Sequence, residues 1–275
     1  VSETVSKDLL SVALTLAREA SQKILTFQDK PLQKKHKADS SPVTEADLQS
    51  DAIICNGLRK AFPDHGVLSE EGGISGKKDS EFLWVVDPLD GTKAFVKGTA
   101  GFCVMVGLLK GGRPHLGVVV DPYEGREYTA IRGEGAYHRY QGATERLHVS
   151  ERKIFSQMPL VISTGFPEDK LKRVLSKLGS PLLEPINSVG IKVGLLVRRL
   201  GDIYLNHHGV HYWDTCAPQL ILEESGGVFT KLDGTPLAYP LDGEYRHDLP
   251  TLASNGFRHG DIVEAVRGIL DGDRE

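Results

Sequence analysis

Apolar side chains recur at Leu9, Val12, Ala13, Leu16, Ala17, Ala20 and Ile24, the spacing of a helix with one buried stripe over residues 5–27. A polar, lysine-rich loop, KPLQKKHKADSSP, follows and ends at Pro42. Thr44 is suited to cap a second helix whose buried face would be Leu48, Cys55, Leu58 and Phe62, and Pro63 should stop it. The period then changes. Short apolar runs at Val67–Ser69, Phe82–Val86, Phe102–Leu109, Leu116–Asp121 and Glu127–Ile131, separated by Gly, Pro and Asp, predict strands. Gly133 and Gly135 predict a turn into another at Ala136–His138. A polar stretch from 139 to 156 is the candidate boundary. Beyond it the pattern predicts strand Leu160–Ser163, helices 168–178 and 188–200, strand Asp202–Asn206 and helix 214–225. Strands Val228–Thr230 and Thr251–Ser254 and a last helix, 261–270, complete the chain. Paired helices, then strands, then alternation predict an α+β half, residues 1–150, packed on an α/β half, residues 151–275.

Composition narrows the functional classes. Among 275 residues, 33 Lys and Arg against 37 Asp and Glu leave a net charge of −4, so no global basic field draws nucleic acid. An anionic ligand must be held by a local device. The three cysteines, Cys55, Cys103 and Cys216, form no C-x-x-C pair, which argues against a disulfide framework or a zinc ribbon. The longest apolar run, Phe102–Leu109, is too short to span a bilayer, and VSETVSKDLL does not read as a signal peptide. A reduced, cytoplasmic protein with no membrane partner is the expectation.

Four acidic segments carry the candidate chemistry. In Trp84-Val-Val-Asp87-Pro88-Leu89-Asp90-Gly91-Thr92 an apolar strand runs into two carboxylates, and strand ends of α/β sheets are where ligands collect. Asp87 and Asp90, three apart around a turn, can face one point, as a hard cation such as Mg²⁺ requires. Asp90-Gly91-Thr92 can also open a short helix whose N–H groups would meet an anion. An ordinary Asp-Gly turn is the plain alternative. Ser69-Glu70-Glu71-Gly72 follows a strand and reads equally as a solvated loop. In Trp213-Asp214-Thr215-Cys216-Ala217-Pro218, Asp214 can cap a helix, bind metal, or do both. In Thr44-Glu45-Ala46-Asp47, Thr44 and Asp47 fit a reciprocal capping box. The D-x-D-G-T motif of aspartyl-phosphate phosphatases is excluded, because D-P-L-D-G-T holds one residue more. His208-Gly-Val-His211 lacks a further soft ligand for zinc.

In this order the four segments resemble one family closely, the Mg²⁺-dependent, lithium-sensitive phosphomonoesterases. These include inositol monophosphatases, fructose bisphosphatases and 3′(2′),5′-bisphosphate nucleotidases. The resemblance runs from about Leu9 to Ser254 and rests chiefly on D-P-L-D-G-T and W-D-T-C-A-P. It implies a layered αβαβα sandwich with the site between two halves, two or three Mg²⁺ ions, and direct attack of water on a small phosphate ester. It implies metal ligation by Glu70, Asp87, the Leu89 carbonyl, Asp90 and Asp214. Glu70 and Thr92 would orient the attacking water, Asp47 would activate it or contact a third metal, and Gly91 and Thr92 would bind phosphate through their N–H groups. The first half would carry most metal ligands, and the second Asp214 and the leaving-group pocket. A homodimer is left open.

Within the family, W-D-T-C-A-P and the D-P-L-D-G-T-K-A-F run resemble the bisphosphate nucleotidases, whereas inositol phosphatases tend toward W-D-x-A-A-G. The resemblance places the leaving-group pocket at Asn187-Ser188-Val189-Gly190-Ile191-Lys192. Ser188 is the candidate for the ribose and Lys192 for a second phosphate; a solvated helix lysine is the alternative. His207, His208, His211 and Tyr212 could flank a purine. The expected reaction is removal of the 3′-phosphate of 3′-phosphoadenosine 5′-phosphate, giving AMP and phosphate. The alternatives are an inositol or sugar phosphatase of the same mechanism, and a non-catalytic metal- or nucleotide-binding protein. The last is disfavoured because every matched acidic position and Thr92 are present.

Overall fold

The structure is a computed structural model that describes residues 3–28, 35–36, 42–77, 79–241 and 243–270. Helix α1 (Glu3–Leu25) buries Leu9, Ala13, Ala17, Ala20 and Ile24 of the predicted stripe, while Val12 and Leu16 are half-buried at its edge. The rest of the lysine-rich loop lies outside the described residues, but β1 (Lys35–His36) pairs with β2 (Pro42–Val43) as an antiparallel ribbon. Helix α2 (Glu45–Ala61) starts at Thr44, whose hydroxyl accepts from the Ala46 N–H at 3.2 Å, and Asp47 completes the box by accepting from the Thr44 N–H at 2.8 Å. Its buried face is Ala46, Ile54, Cys55 and Leu58. The expected Leu48 is instead 42% exposed, because buried Asp47 and Ser50 turn the helix toward the following strand.

An eight-stranded sheet follows: β3 (Gly66–Ser69), β4 (Gly73–Gly76), β5 (Phe82–Asp90), β6 (Cys103–Lys110), β7 (Arg113–Asp121), β8 (Arg126–Ile131), β9 (Gly135–Tyr140) and β10 (Ala143–Arg146). Its order is β10-β9-β8-β7-β6-β5-β3-β4, antiparallel throughout except where β3 meets β5. Helix α3 (Thr92–Val96) follows β5. The strands are apolar on both faces, as a sheet covered on both sides requires. Trp84, Val86, Val104, Val106, Leu116 and Val118 pack under α1 and α2, while Leu83, Val85, Met105 and Val119 face the other way. That second face is covered by α5 (Val189–Val197) and α6 (Tyr212–Glu224).

Helices α5 and α6 also pack on a four-stranded sheet of β11 (Leu160–Val161), β12 (Ile203–Leu205), β13 (Val228–Lys231) and β14 (Thr251–Ser254), ordered β11-β12-β14-β13. Outside it lie α4 (Glu168–Leu178) and α7 (His259–Leu270), which share a core cluster with Leu160, Ile203 and Leu252. The layers run α, β, α, β, α, the predicted sandwich. No helix among the described residues is long and apolar enough to cross a membrane.

Several predicted elements shift. The helix placed at 188–200 ends at Val197, and Arg199 then turns with φ 63°. The strand placed at 160–163 is paired only over Leu160–Val161. The polar run after 139 still holds β10, all four of whose side chains are exposed; its pairing with β9 is made by the backbone, so no apolar alternation marks it. Strand β4 escapes prediction because Ile74 is its one apolar side chain, too few for an alternation to show.

The seat of α6 depends on Gly107 and Gly117, which face each other across β6 and β7. A Cβ on Gly107 would stand 2.5 Å from Cys216 Sγ, and one on Gly117 2.7 Å from the Ala217 carbonyl oxygen. Gly117→Ala should therefore destabilise the fold by about 1–3 kcal/mol, the usual cost of overpacking. The measurement is thermal unfolding, where a drop of several degrees is expected; an unchanged midpoint would show that α6 can recede freely.

Candidate active site

Residues three apart in a regular strand point to opposite faces. Asp87 and Asp90 escape that rule because β5 loses register between them: Asp87 opposes Met105, and Asp90 opposes Cys103. Pro88 lies within the irregular stretch and has no N–H to give to a ladder. Its carbonyl is held from α2 by the Ser50 hydroxyl at 2.7 Å. The Leu89 N–H donates to Asp87 Oδ1 at 3.0 Å, folding that carboxylate back over the bulge. Gly91 then turns the chain with φ 89°, where a Cβ would clash with the Gly101 carbonyl oxygen.

Asp214 arrives from the other side of the site, on the third residue of α6. The helix begins two residues before the predicted start, so Asp214 is not its N-cap residue; its Oδ2 accepts from the His211 N–H at 2.7 Å. One oxygen each of Asp87, Asp90 and Asp214 can lie within 4.8 Å of the others. Glu70, on the turn after β3, stands in the wall of the same cavity, as do Gly91 and Thr92. Thr92 Oγ1 lies 3.2 Å from Asp47 Oδ1 and 3.1 Å from the Leu89 carbonyl oxygen, so it joins α2 to the bulge. Asp47 thus serves its capping box through Oδ2 and Thr92 through Oδ1.

Burial first, and then the charges of Glu70, Asp90 and Asp214, hold the Asp87 carboxyl well above the usual range. Burial followed by Asp90 and Glu70 pushes Asp214 up to about 8. Asp90 is also raised by burial, though hydrogen bonds from Ser188 at 2.6 Å and the Gly190 N–H at 3.0 Å oppose the shift. Such a set gains only repulsion unless protons or cations join it. All its donors are carboxylate or carbonyl oxygens, the chemistry of a hard divalent cation. The residues therefore fit Mg²⁺. Among the described residues this is the one group of three or more His, Cys, Asp or Glu placed to share an ion, so the zinc reading of the histidines finds no support.

The cavity beside the carboxylates has a volume of about 660 Å³. Lys192 is in its wall and is fully buried, not a solvated helix lysine. Its ammonium donates to Ser163 Oγ at 2.6 Å and the Asn187 carbonyl at 3.3 Å, and lies 4.5 Å from the centre of the Tyr204 ring. Burial lowers it to about 8, against the pull of Asp90 and Asp214. His207, His208 and His211 line the cavity as well. Tyr212 does not: it is buried in the central core with its hydroxyl on the Pro240 carbonyl at 3.1 Å. Ser188 also departs from expectation. It is fully buried, caps α5 through the Ile191 N–H at 3.1 Å and donates to Asp90, so its hydroxyl holds a carboxylate and has no surface for a ribose. Sequence reading missed Ser163, Thr164, Gly165, Lys93 and Arg246, all in the wall. A run of small residues after a strand, Ser163-Thr164-Gly165, was the available signal; for Arg246 there was none.

A five-layered sandwich with a buried cluster of oxygen ligands between its sheets defines a metal-dependent phosphatase of the inositol monophosphatase type. The match to the Inositol monophosphatase family covers residues 6–268, and the chain belongs to that family. It is 34% identical over 236 residues to 3′(2′),5′-bisphosphate nucleotidase CysQ of Escherichia coli K12, covering 84% of this chain and 94% of that one. It is 33% identical over 236 residues to Nus factor SuhB of Pasteurella multocida, covering 82% and 86%. The Thermotoga maritima inositol monophosphatase TM1415 superposes with a TM-score of 0.82 at 24% identity, over 96% of this chain and 98% of that one. The family is Mg²⁺-dependent and acts on small phosphate esters.

Asp87 offers a test of the cluster that needs no substrate. Its raised folded-state pKa means that ionisation opposes folding once the pH rises past the ordinary carboxylate range. Asp87→Asn removes that charge. In EDTA at pH 7.5 the variant should melt several degrees above the parent, and the rise that MgCl₂ gives the parent should shrink sharply. A parent-like response to MgCl₂ would remove Asp87 from the ligand set.

Proposed function

We propose that the protein is a 3′(2′),5′-bisphosphate nucleotidase, releasing the 3′-phosphate of 3′-phosphoadenosine 5′-phosphate as inorganic phosphate and leaving AMP. The observation that carries this reading is Lys192, a buried ammonium beside the acidic cluster in the wall of a cavity large enough for a nucleotide. A monophosphate needs one anion site; a bisphosphate needs a second cation, and in this reading Lys192 supplies it by exchanging its bonds to Ser163 and the Asn187 carbonyl for the second phosphate. The likeness to CysQ supports the same choice, while the likeness to SuhB at nearly equal identity keeps inositol 1-phosphate as the second reading.

In this reading Glu70, Asp87, Asp90, Asp214 and the Leu89 carbonyl hold Mg²⁺. When bound, the ions supply Lewis-acid activation of water and charge stabilisation at the leaving oxygen. The chain's own residues do the rest. Thr92, whose hydroxyl proton is directed to Asp47 and the Leu89 carbonyl, accepts a hydrogen bond from the attacking water and fixes its line to phosphorus. Glu70, in the wall of the same cavity, orients that water and receives its proton. The N–H groups of Gly91 and Thr92 bind the phosphate oxygens. Water oxygen bonds to phosphorus, the bond to the ribose 3′-oxygen breaks, and that oxygen takes a proton from solvent water, to which Glu70 afterwards returns its own. Ser188 and Gly190 keep Asp90 in one rotamer throughout. The histidines at 207, 208 and 211 are the candidates to flank the purine.

Four measurements test the reading. A substrate panel should give kcat/KM at least tenfold higher for the bisphosphate nucleotide than for inositol 1-phosphate, a difference of about 1.4 kcal/mol. The reverse order would assign inositol phosphates while leaving the metal site standing. Lys192→Met keeps the volume and removes the charge; it should cost the bisphosphate about ten- to a hundredfold, in line with roughly 1.5–3 kcal/mol for a hydrogen bond to a charged group, and inositol 1-phosphate far less. Asp214→Asn keeps an acceptor for the His211 N–H. It should leave the fold intact, melting above the parent in EDTA for the same reason as Asp87→Asn, and lower turnover by orders of magnitude, whereas unchanged turnover would leave Asp214 a capping residue. LiCl should inhibit where KCl at equal ionic strength does not.

A further inference from the structure

A second cavity, of about 760 Å³, lies away from the acidic cluster, between β8, β9 and β10 on one side and the C-terminal end of α5 on the other. Its size falls in the range of small-molecule sites. Four arginines line it: Arg126, Arg146, Arg198 and Arg199. The lining contains one carboxylate, Glu145, and that is engaged with His138 Nδ1 at 2.9 Å. The wall therefore carries a strong positive excess on a chain whose net charge is −4.

The arginines are short of acceptors. Arg126 lies 3.8 Å above the centre of the Tyr140 ring, and one of its terminal nitrogens is 3.5 Å from His138 Nε2, but its buried Nε has no hydrogen-bond partner. Arg198 uses only Nε, on the Gly194 carbonyl at 3.3 Å, and Arg199 uses Nε on the His148 carbonyl at 3.0 Å. None of Arg126, Arg146 and Arg198 is in an ion pair with a described carboxylate. Guanidinium groups match phosphate oxygens in pairs, and several around one concave wall suit more than one phosphate.

We propose that this cavity is a second ligand site, which binds a small molecule carrying two or more linked phosphate groups. It is separate from the catalytic cavity. Helix α5 carries Lys192 near its first turn and reaches the arginine-lined cavity only at Val197 and beyond. Five residues of helix set the two about 7–8 Å apart along its axis, with the packed core of α5 between them.

Isothermal titration of the full chain with inorganic pyrophosphate in EDTA and low salt tests the site. Without metal the clustered carboxylates repel the probe from the catalytic cavity. One site should appear with a Kd below about 1 mM, and inorganic phosphate should bind at least tenfold more weakly. Combined Arg126→Gln, Arg146→Gln and Arg198→Gln should weaken pyrophosphate at least tenfold, while Lys192→Met should change it less than twofold. Arg146→Gln alone, on the exposed strand β10, should weaken it about threefold or more and serves if the combined variant does not fold. No saturable binding, equal affinity for phosphate and pyrophosphate, arginine variants that bind like the parent, or loss of binding on Lys192→Met would each overturn the proposal.

Discussion

Carboxylates that fold together away from water repel one another, and most of the conspicuous features of this chain answer to that constraint. Asp87, Asp90 and Asp214 come within 4.8 Å of one another with Glu70 beside them, and burial raises the three aspartates above their ordinary range. No packing interaction would assemble such a set for its own sake. The surrounding structure has to impose it, and does so with fixed donors: the Leu89 N–H on Asp87, Ser188 and Gly190 on Asp90, and the His211 N–H on Asp214. The energy that could be recovered by a divalent cation is therefore stored in the fold before the cation arrives.

The devices that impose it share a logic. Asp47 and Asp214 each occupy the third position of a helix and each accept the N–H of the residue before the helix. At Asp47 the box takes Oδ2 and Thr92 takes Oδ1, and in both helices the first turn holds the carboxylate in place. Helix α5 plays a third variation. Its N-cap Ser188 and the Gly190 N–H hold Asp90 from outside the acidic segment, while Lys192 one turn later enters the cavity wall. Because α5 and α6 belong to the middle layer, the two sheets are coupled to the site by the same two helices.

Much of this was legible from residues alone. The α1 stripe, the Thr44–Asp47 box and the apolar strands from Phe82 to Ile131 follow local rules that tertiary packing did not override. The acidic residues could be named because their segments are distinctive. What could not be read was the reason they meet. The bulge between Asp87 and Asp90 is a matter of pairing with β6, and pairing is absent from a single strand's pattern. Leu48 looked buried because helical spacing fixes which residues share a face, not which face turns inward. Ser188 and Tyr212 were assigned to the ligand from their place in the chain; both are buried, one on Asp90 and one in the core. Strand β10 left no signal because its backbone bonds, not its exposed side chains, place it, and β4 little because Ile74 is its one apolar residue.

The bulge on β5 and the helix starts around it are held by backbone groups and buried side chains. The opposite rim of the cavity is made by the short segments 163–165 and 206–211, with Arg246. Substitution therefore carries very unequal penalties on the two sides. A change at Pro88, Gly91 or Ser188 disturbs a register, a left-handed turn or a buried hydrogen bond, whereas the rim can be rewritten one loop residue at a time. Such a scaffold lets leaving-group preference drift by mutation without rebuilding the machinery beneath it. Near-equal kinship to proteins of different names is then the natural signature of a floor that is costly to alter and a rim that is not.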